Sequence, residues 1–370
     1  MSKVKLVISD CHLSAGLHFE SQKNPHEDFF FDNEMVAFFD YFSTGKYGEG
    51  CEVELIINGD YLDFLNVPYR GEFVEAITEQ FALYKLECIL SGHQKVIEAL
   101  KRFVARPGKT ITYNIGNHDA DMFFPKVRER LISVLDPKGQ FPSPVVRVNF
   151  ETPIMDLPGG IQIHHGNQFE AVHMFNYQRP LLTEALREPV LNIPWGSFYV
   201  LKIVNRLKWE RDYVDKVRPV KAMVLWSLVF DTWFIIKFVF LSLFYFMKTR
   251  FIYSPRRRSR LQVTAKILQQ ETTTFLQDLE KDARQILDTN SHIHTVIMGH
   301  THLPMYKSYP DGKVYINTGT WTKMINLDLR GIGSGYKLTF ALIEYDEKNH
   351  ASATLQQWMG EYFPHRVCIA

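Results

Sequence analysis

At 370 residues and 43.2 kDa the chain is long for a single core, so one domain carrying a substantial insertion is expected. Hydrophobic residues at 46% and charged residues at 22% describe a folded globular chain, which excludes disorder, collagen-like repeats and a coiled coil. The formal net charge of +1 hides an asymmetry: positions 206–266 hold 14 Lys and Arg against four acids, so a +10 segment sits in a chain whose remainder sums to −9.

Residues 4–9 read as a short buried strand that runs directly into Asp10-Cys11-His12, and so short an apolar run is not expected to be a secretory leader. Residues 34–42 carry a helical pattern, 54–58 a strand, 78–103 a long helical stretch, and 110–115 another strand. Strands are also expected at 145–150 and 161–165. From about 167 to 292 the alternation stops, and helices are expected at 195–209, 221–248 and 261–287, punctuated by Pro194, Pro219 and Pro255. Strands return at 295–298 and 314–318, followed by a hairpin of 337–345 with 352–359. The pattern predicts an α/β body built from 1–166 and 292–370, with 167–291 as a helical, basic and apolar insertion.

The most apolar run, 224–247, has 15 Leu, Ile, Val or Phe among its 24 residues. One helix of that length would reach about 36 Å, enough to cross a hydrocarbon core of about 30 Å. Asp231 and Lys237 oppose a crossing. Ser227, Asp231, Ser242 and Tyr245 fall on one narrow arc with Lys237 at its flank, which suits an interfacial helix or a lid. Cationic and apolar together, residues of about 195–260 predict contact with an anionic membrane surface or an amphiphilic anionic ligand. Trp226, Phe230 and Phe234 would line a lipid-facing lid, and Arg256, Arg257, Arg258 and Arg260 would meet pyrophosphate or headgroups. A buried helix with solvated basic flanks, or a homodimer interface, are the alternatives.

Five polar clusters stand just after expected strands: Asp10-Cys11-His12, Gly59-Asp60, Gly116-Asn117-His118-Asp119, His164-His165-Gly166 and Gly299-His300-Thr301-His302. Each is weak alone; five together predict a metal centre. Carboxylate, amide and imidazole donors suit Mn²⁺, Fe, Zn²⁺ or Ni²⁺. Cys11, Cys51, Cys88 and Cys368 lie far apart without CxxC spacing, which argues against a structural zinc and for a reducing compartment. His118 is the candidate general acid, and Asp119 either orients its imidazole or stabilises the turn as a local carboxylate. His164 reads as a second layer or core residue, and Asp63 as packing or capping beside Asp60. His18, His26, His93, His173, His292, His294, His350 and His365 read as ordinary core or surface histidines.

In their order, these motifs resemble the calcineurin-like metallophosphoesterase superfamily, over residues 1–166 and about 292–360. The resemblance implies an α/β sandwich of two mixed β-sheets flanked by helices and two divalent ions, Mn²⁺ foremost. Carried over residue by residue, Asp10, His12, Asp60 and His302 would hold one ion. Asp60 would bridge to the second, held also by Asn117, His165 and His300. Such a pair activates water for in-line attack on a phosphoester. Ser9-Asp10-Cys11-His12-Leu13-Ser14 and the helical insertion further resemble the UDP-2,3-diacylglucosamine pyrophosphatases of lipid A synthesis, although His118 and Asn167 stand where those enzymes commonly carry Arg and Asp. That likeness implies a cytoplasmic, membrane-peripheral enzyme splitting a lipid-nucleotide pyrophosphate. A soluble phosphomono- or diesterase on nucleotides or phosphoproteins, and a membrane-associated scaffold, are the other readings. No nucleic-acid partner is expected.

Overall fold

Short apolar runs become the central strands here because both faces of those strands are covered. The computed structural model describes residues 2–139, 143–218, 220–248, 279–327, 333–360 and 365–367. Arg256, Arg257, Arg258, Arg260 and most of the helix expected over 261–287 lie outside the described residues.

A seven-stranded sheet runs His365–Val367, Ala351–Trp358, Thr339–Tyr345, Ser2–Ile8, Cys51–Asn58, Lys109–Asn114, Val146–Asn149. Its last four strands are mutually parallel, whereas Thr339–Tyr345 lies antiparallel to Ser2–Ile8. A five-stranded sheet runs Met305–Ser308, Val314–Asn317, Thr295–Met298, Ile161–His164, Ile154–Leu157, parallel at its centre and antiparallel at both edges.

Strand alternation sorts the side chains into layers. Val7, Ile56, Ala341 and Ile343 meet Ile161, Ile163, Ile297 and Ile316 between the sheets. Leu6, Ile8, Leu55 and Ile57 share the large core with residues of helices Asp32–Tyr41, Glu79–Gly92, Gln94–Val104 and Pro125–Leu135. Val296 and Met298 pack against Ala283 and Leu287 of helix Glu280–Thr289. The result is the expected α/β sandwich of two mixed sheets flanked by helices.

Two long helical patterns are each divided. The stretch expected over 78–103 breaks at His93, whose φ of −123° leaves the helical region. There the imidazole bonds Asp32 and Glu27, at 2.9 and 3.2 Å. The single apolar helix expected over 221–248 is two, Val220–Phe230 and Thr232–Met247, broken at Asp231. Among the described residues no helix is long and apolar enough to cross a membrane. Strands Ile154–Leu157 and Met305–Ser308 are not expected from the sequence, because Asp156 and Lys307 interrupt their short apolar runs.

Helix Trp195–Tyr199 continues through a π turn at Val200–Val204 into Asn205–Lys208. It is fastened to the body by polar contacts: Asn205 Nδ2 donates to Leu65 O at 2.7 Å, and buried Lys208 meets Asp28 and Asp215, both at 2.7 Å. The polar stripe of the following helices faces this segment. Asp231 accepts from Arg211 Nε at 2.8 Å, Lys237 pairs with Glu210, and Tyr199 OH bonds Ser242 Oγ at 2.8 Å. Phe234 also turns inward, 6% exposed among Ile203, Leu207 and Val214, so it lines no outward lid. Val229, Phe230 and Trp233 face out, 70, 75 and 78% exposed, with Trp226 stacked on Phe230.

Candidate metal centre

Asp10 and His12 follow strand Ser2–Ile8, Asp60 follows Cys51–Asn58, and Asn117 and His118 follow Lys109–Asn114. His165 follows Ile161–His164 in the second sheet, and His300 and His302 follow Thr295–Met298. All these strands end at the same edge of the sandwich, where open α/β sheets place their ligands. Hydrogen bonds tie the two sheets at this edge: Ser9 Oγ with Thr318 Oγ1 at 2.6 Å, and Asn58 Nδ2 with His164 O at 2.7 Å. Asp10, His12, Asp60, His300 and His302 all adopt left-handed backbone, with φ of 53°, 54°, 52°, 69° and 62°. Non-glycine residues are strained in that conformation, and such strain concentrates at functional sites. At Gly116 a Cβ would collide with Asp60 Oδ1, so the loop can pass only as glycine.

The donor atoms stand at ligand spacing. Two atoms bound to one ion at about 2.1 Å lie about 3.0 Å apart at a right angle and about 3.4 Å apart in a tetrahedron. His302 Nε2 is 3.0 Å from His12 Nε2 and 3.4 Å from Asp10 Oδ1. His165 Nε2 is 3.3 Å from Asp60 Oδ2. Two clusters result, Asp10–His12–His302 and Asp60–His165–His300. Asp10 Oδ1, Asn117 Oδ1 and His165 Nε2 are buried without a hydrogen bond, a costly state that a cation would relieve. The residues present therefore fit a pair of divalent ions.

Protons in the site are arranged by Asp63 rather than Asp119. Asp63 Oδ2 lies 3.0 Å from His118 Nδ1 and 2.9 Å from His12 Nδ1, and Oδ1 accepts from Asn66 N at 3.0 Å. Burial works against the charge of Asp63, yet His118 and His12 hold it well below the carboxylate range. Burial alone would lower His118; the Asp63 and Asp60 carboxylates raise it to about 9. The orientation of His118 expected from Asp119 is not found. Asp119 instead accepts from Tyr113 OH at 2.7 Å, Tyr61 N at 3.2 Å and Gly116 N at 2.5 Å, and burial beside Asp60 raises it to about 7. Asp60 Oδ1 accepts from His118 N at 2.8 Å; burial opposes its charge, but His165 and His118 depress it strongly. His164 is held outside the cluster by Gln162 and Gln168, both at 2.8 Å, and burial lowers it to about 4.

Two residues that the sequence does not single out stand beside His300. Glu170 Oε2 is 2.9 Å from His300 Nε2 and 3.7 Å from His173 Nε2. His173, an ordinary histidine by sequence, thus joins a carboxylate and a second imidazole in a ligand-like group. The available signal is their i, i+3 spacing directly after His165-Gly166-Asn167. Arg218 also acts here, its charge reaching Glu170 and His302.

No family model and no curated protein matches the chain. Among solved structures it is similar to a single mutant of Vps29 from Entamoeba histolytica, at 11% identity over 99% of this chain and 97% of the other, with a TM-score of 0.29. A conserved uncharacterized protein, a predicted phosphoesterase from Streptococcus pneumoniae, matches at 10% identity over 100% and 98%, with a TM-score of 0.28. A dimetal phosphatase from Danio rerio matches at 9% identity over 98% of each chain, with a TM-score of 0.36. At such scores these likenesses decide nothing about chemistry, which is left to the residues themselves.

Proposed function

We propose that the chain is a dinuclear-metal phosphoester hydrolase of the calcineurin-like metallophosphoesterase kind. The observation that carries this reading is the set of buried donors that make no hydrogen bond, Asp10 Oδ1, Asn117 Oδ1 and His165 Nε2, set among Asp60, His12, His300 and His302. Mn²⁺, or Fe, Zn²⁺ or Ni²⁺, suits such donors, and a bound pair would supply an activated water and offset charge on the phosphoryl oxygens. Asp60 is central: one oxygen is fixed by the His118 amide and the other turned to His165. His118 has Nδ1 committed to Asp63, so Nε2 is the nitrogen that can protonate a leaving oxygen. Its proton is retained near neutral pH, as a general acid requires. Asp119 shapes the turn that presents Asn117 and His118, through Gly116 N.

The substrate we propose is a lipid-linked nucleotide pyrophosphate resembling UDP-diacylglucosamine, met at an anionic membrane face. What supports it is an inverted helix pair: the polar stripe turns toward the protein while Val229, Phe230 and Trp233 face out, within the segment carrying +10. A helix lying on a water-facing surface does the reverse.

Hydrolysis of bis-p-nitrophenyl phosphate, a cyclic nucleotide and UDP-diacylglucosamine with and without Mn²⁺ tests both levels. Expected are activity lost to chelation and to Asp60→Ala or His300→Ala, and a preference for the acylated over the deacylated UDP-sugar. No metal-dependent turnover on any of the three substrates would remove the phosphoesterase reading and leave the scaffold. Equal rates on acylated and deacylated substrate would remove the lipid reading alone.

A further inference from the structure

Two imidazoles of the centre are held by the nitrogen that they do not turn to an ion. His12 has Nδ1 on Asp63 at 2.9 Å and His165 has Nδ1 on Asn58 O at 2.7 Å, which leaves Nε2 of each for the centre. His300 reverses this pattern. Its Nε2 forms a hydrogen-bonded ion pair with Glu170 Oε2 at 2.9 Å, while the same imidazole also groups with Asp60 and His165. With Nε2 committed to Glu170, Nδ1 is the nitrogen left for the ion.

The carboxylate is fixed where it can do this. Gly166, with φ of 125°, turns the chain past His300, and the single turn Asn167–Phe169 then delivers Glu170. Asn167 Nδ2 donates to His173 O at 3.0 Å, and His173 N donates to Glu170 O at 2.9 Å, so the turn is closed on both sides of Glu170. The insertion's first helix presses on the same turn. Gly196 N donates to Val172 O at 2.7 Å, and a Cβ at Gly196 would come within 2.5 Å of His173 Nδ1.

We propose that Glu170 is a positioning residue for the ion that Asp60, His165 and His300 would share, an inference resting on the dinuclear reading above. It accepts the Nε2 proton of His300 and thereby fixes both the ring and the tautomer with Nδ1 free. A carboxylate on the far nitrogen also makes an imidazole a stronger donor to its ion.

The experiment loads full-length, metal-free protein carrying ¹⁵N-labelled histidine with Zn²⁺ and reads the imidazole nitrogens by NMR. One metal-bound imidazole is expected to ligate through Nδ1, with an Nε2 proton slow to exchange with water, beside others ligating through Nε2. In Glu170→Ala that proton exchanges freely. Titration with Mn²⁺, followed by electron paramagnetic resonance, then shows one of two sites weakened about 10–100-fold, the loss that removing such a group produces. Glu170→Gln keeps an acceptor for the proton and recovers part of the loss. Metal-bound imidazoles that all ligate through Nε2 overturn the proposal, as do two sites of undiminished affinity in Glu170→Ala. Equal losses in Glu170→Ala and Glu170→Gln also overturn it, because charge alone would then hold the ion. If circular dichroism shows that Glu170→Ala does not fold, the spectrum of the unaltered protein decides: an Nε2 proton that exchanges freely there overturns the proposal. An unaltered protein that binds no ion pair overturns the dinuclear reading itself, which separates that failure from the failure of Glu170.

Discussion

The carboxylate of Asp63 lies 3.0 Å from His118 Nδ1, and its charge is the nearest reason that this buried imidazole keeps its proton. Burial alone would lower the His118 pKa below 6.5, and Asp63 with Asp60 raises it to about 9. A raised value means that the acid form is complete below the ordinary pKa and is lost as pH rises through the raised one. Asp63→Asn is therefore expected to move the basic limb of the pH–rate profile downward. His118→Ala should lower kcat by about 10²–10⁴-fold, the range for loss of a general acid. A pH–rate profile on an aryl phosphodiester checks both. An unmoved basic limb in Asp63→Asn would show that the limb belongs to another group.

Much of the centre is legible in the sequence because each candidate ligand sits one to four residues past a strand whose apolar run announces it. Asp63 and Glu170 are not legible in that way. Their partners lie 55 and 130 residues away, so standing close behind the Gly59-Asp60 and His165-Gly166 clusters does not by itself show what they touch. The same holds for the helix break at Asp231. Helical phase places this residue on a polar arc, but the break coincides with a hydrogen bond to Arg211, 20 residues earlier. The short edge strands Ile154–Leu157 and Met305–Ser308 form only against their neighbours, so local pattern could not find them. Fold class and ligands are local properties here; the residues that tune them are set by tertiary contact.

His93 should make stability depend on pH. It is buried between Asp32 and Glu27, and although burial lowers its pKa, their hydrogen bonds raise it from 6.5 to about 9. The imidazolium contributes fully below pH 6.5, and that contribution disappears as pH rises through 9. The span is worth about 3 kcal/mol. The urea midpoint should fall between about pH 6.5 and 9.5, and His93→Gln should flatten that fall. Parallel curves for the two proteins would assign the pH dependence elsewhere.

Lys208 joins the helical segment to the body by charge. Its ammonium is buried between Asp28 and Asp215, both at 2.7 Å, and Asp28 also takes Lys216 at 2.7 Å. Removing one partner of a buried pair strands the other, at a cost of about 3–5 kcal/mol. Lys208→Met is expected to lose that much in urea unfolding, and Lys208→Met with Asp28→Asn less than the two single losses summed. Asn66 Nδ2 bridges Asp28 at 3.3 Å and Asp63 at 2.9 Å, so the loss should also reach His118. A lowered basic limb in Lys208→Met, at a temperature where the protein is folded, would register it. Additive single and double losses would show that the buried pair is not coupled.

The outward face of the helix pair gives the prediction that separates a membrane partner from a second copy of the chain. Phe230 and Trp233 are 75 and 78% exposed beside a segment of net +10. Burying one such side chain contributes about 1.5–3 kcal/mol, and each Lys or Arg near an anionic surface about 1 kcal/mol. Binding to vesicles of phosphatidylcholine with about 30% phosphatidylglycerol should therefore weaken about 10–100-fold in Phe230→Ser and in Trp233→Ser. It should also fall in about 0.5 M salt, because the cationic share is screened within a few ångströms. The helices need not cross the bilayer for this: 11 and 16 residues reach only about 17 and 24 Å. Sedimentation with the vesicles and equilibrium ultracentrifugation without them read the two cases apart. Substitutions that leave vesicle binding unchanged but dissociate a dimer would give this face to a second copy, since a dimer seam depends on the same apolar side chains and not on lipid charge.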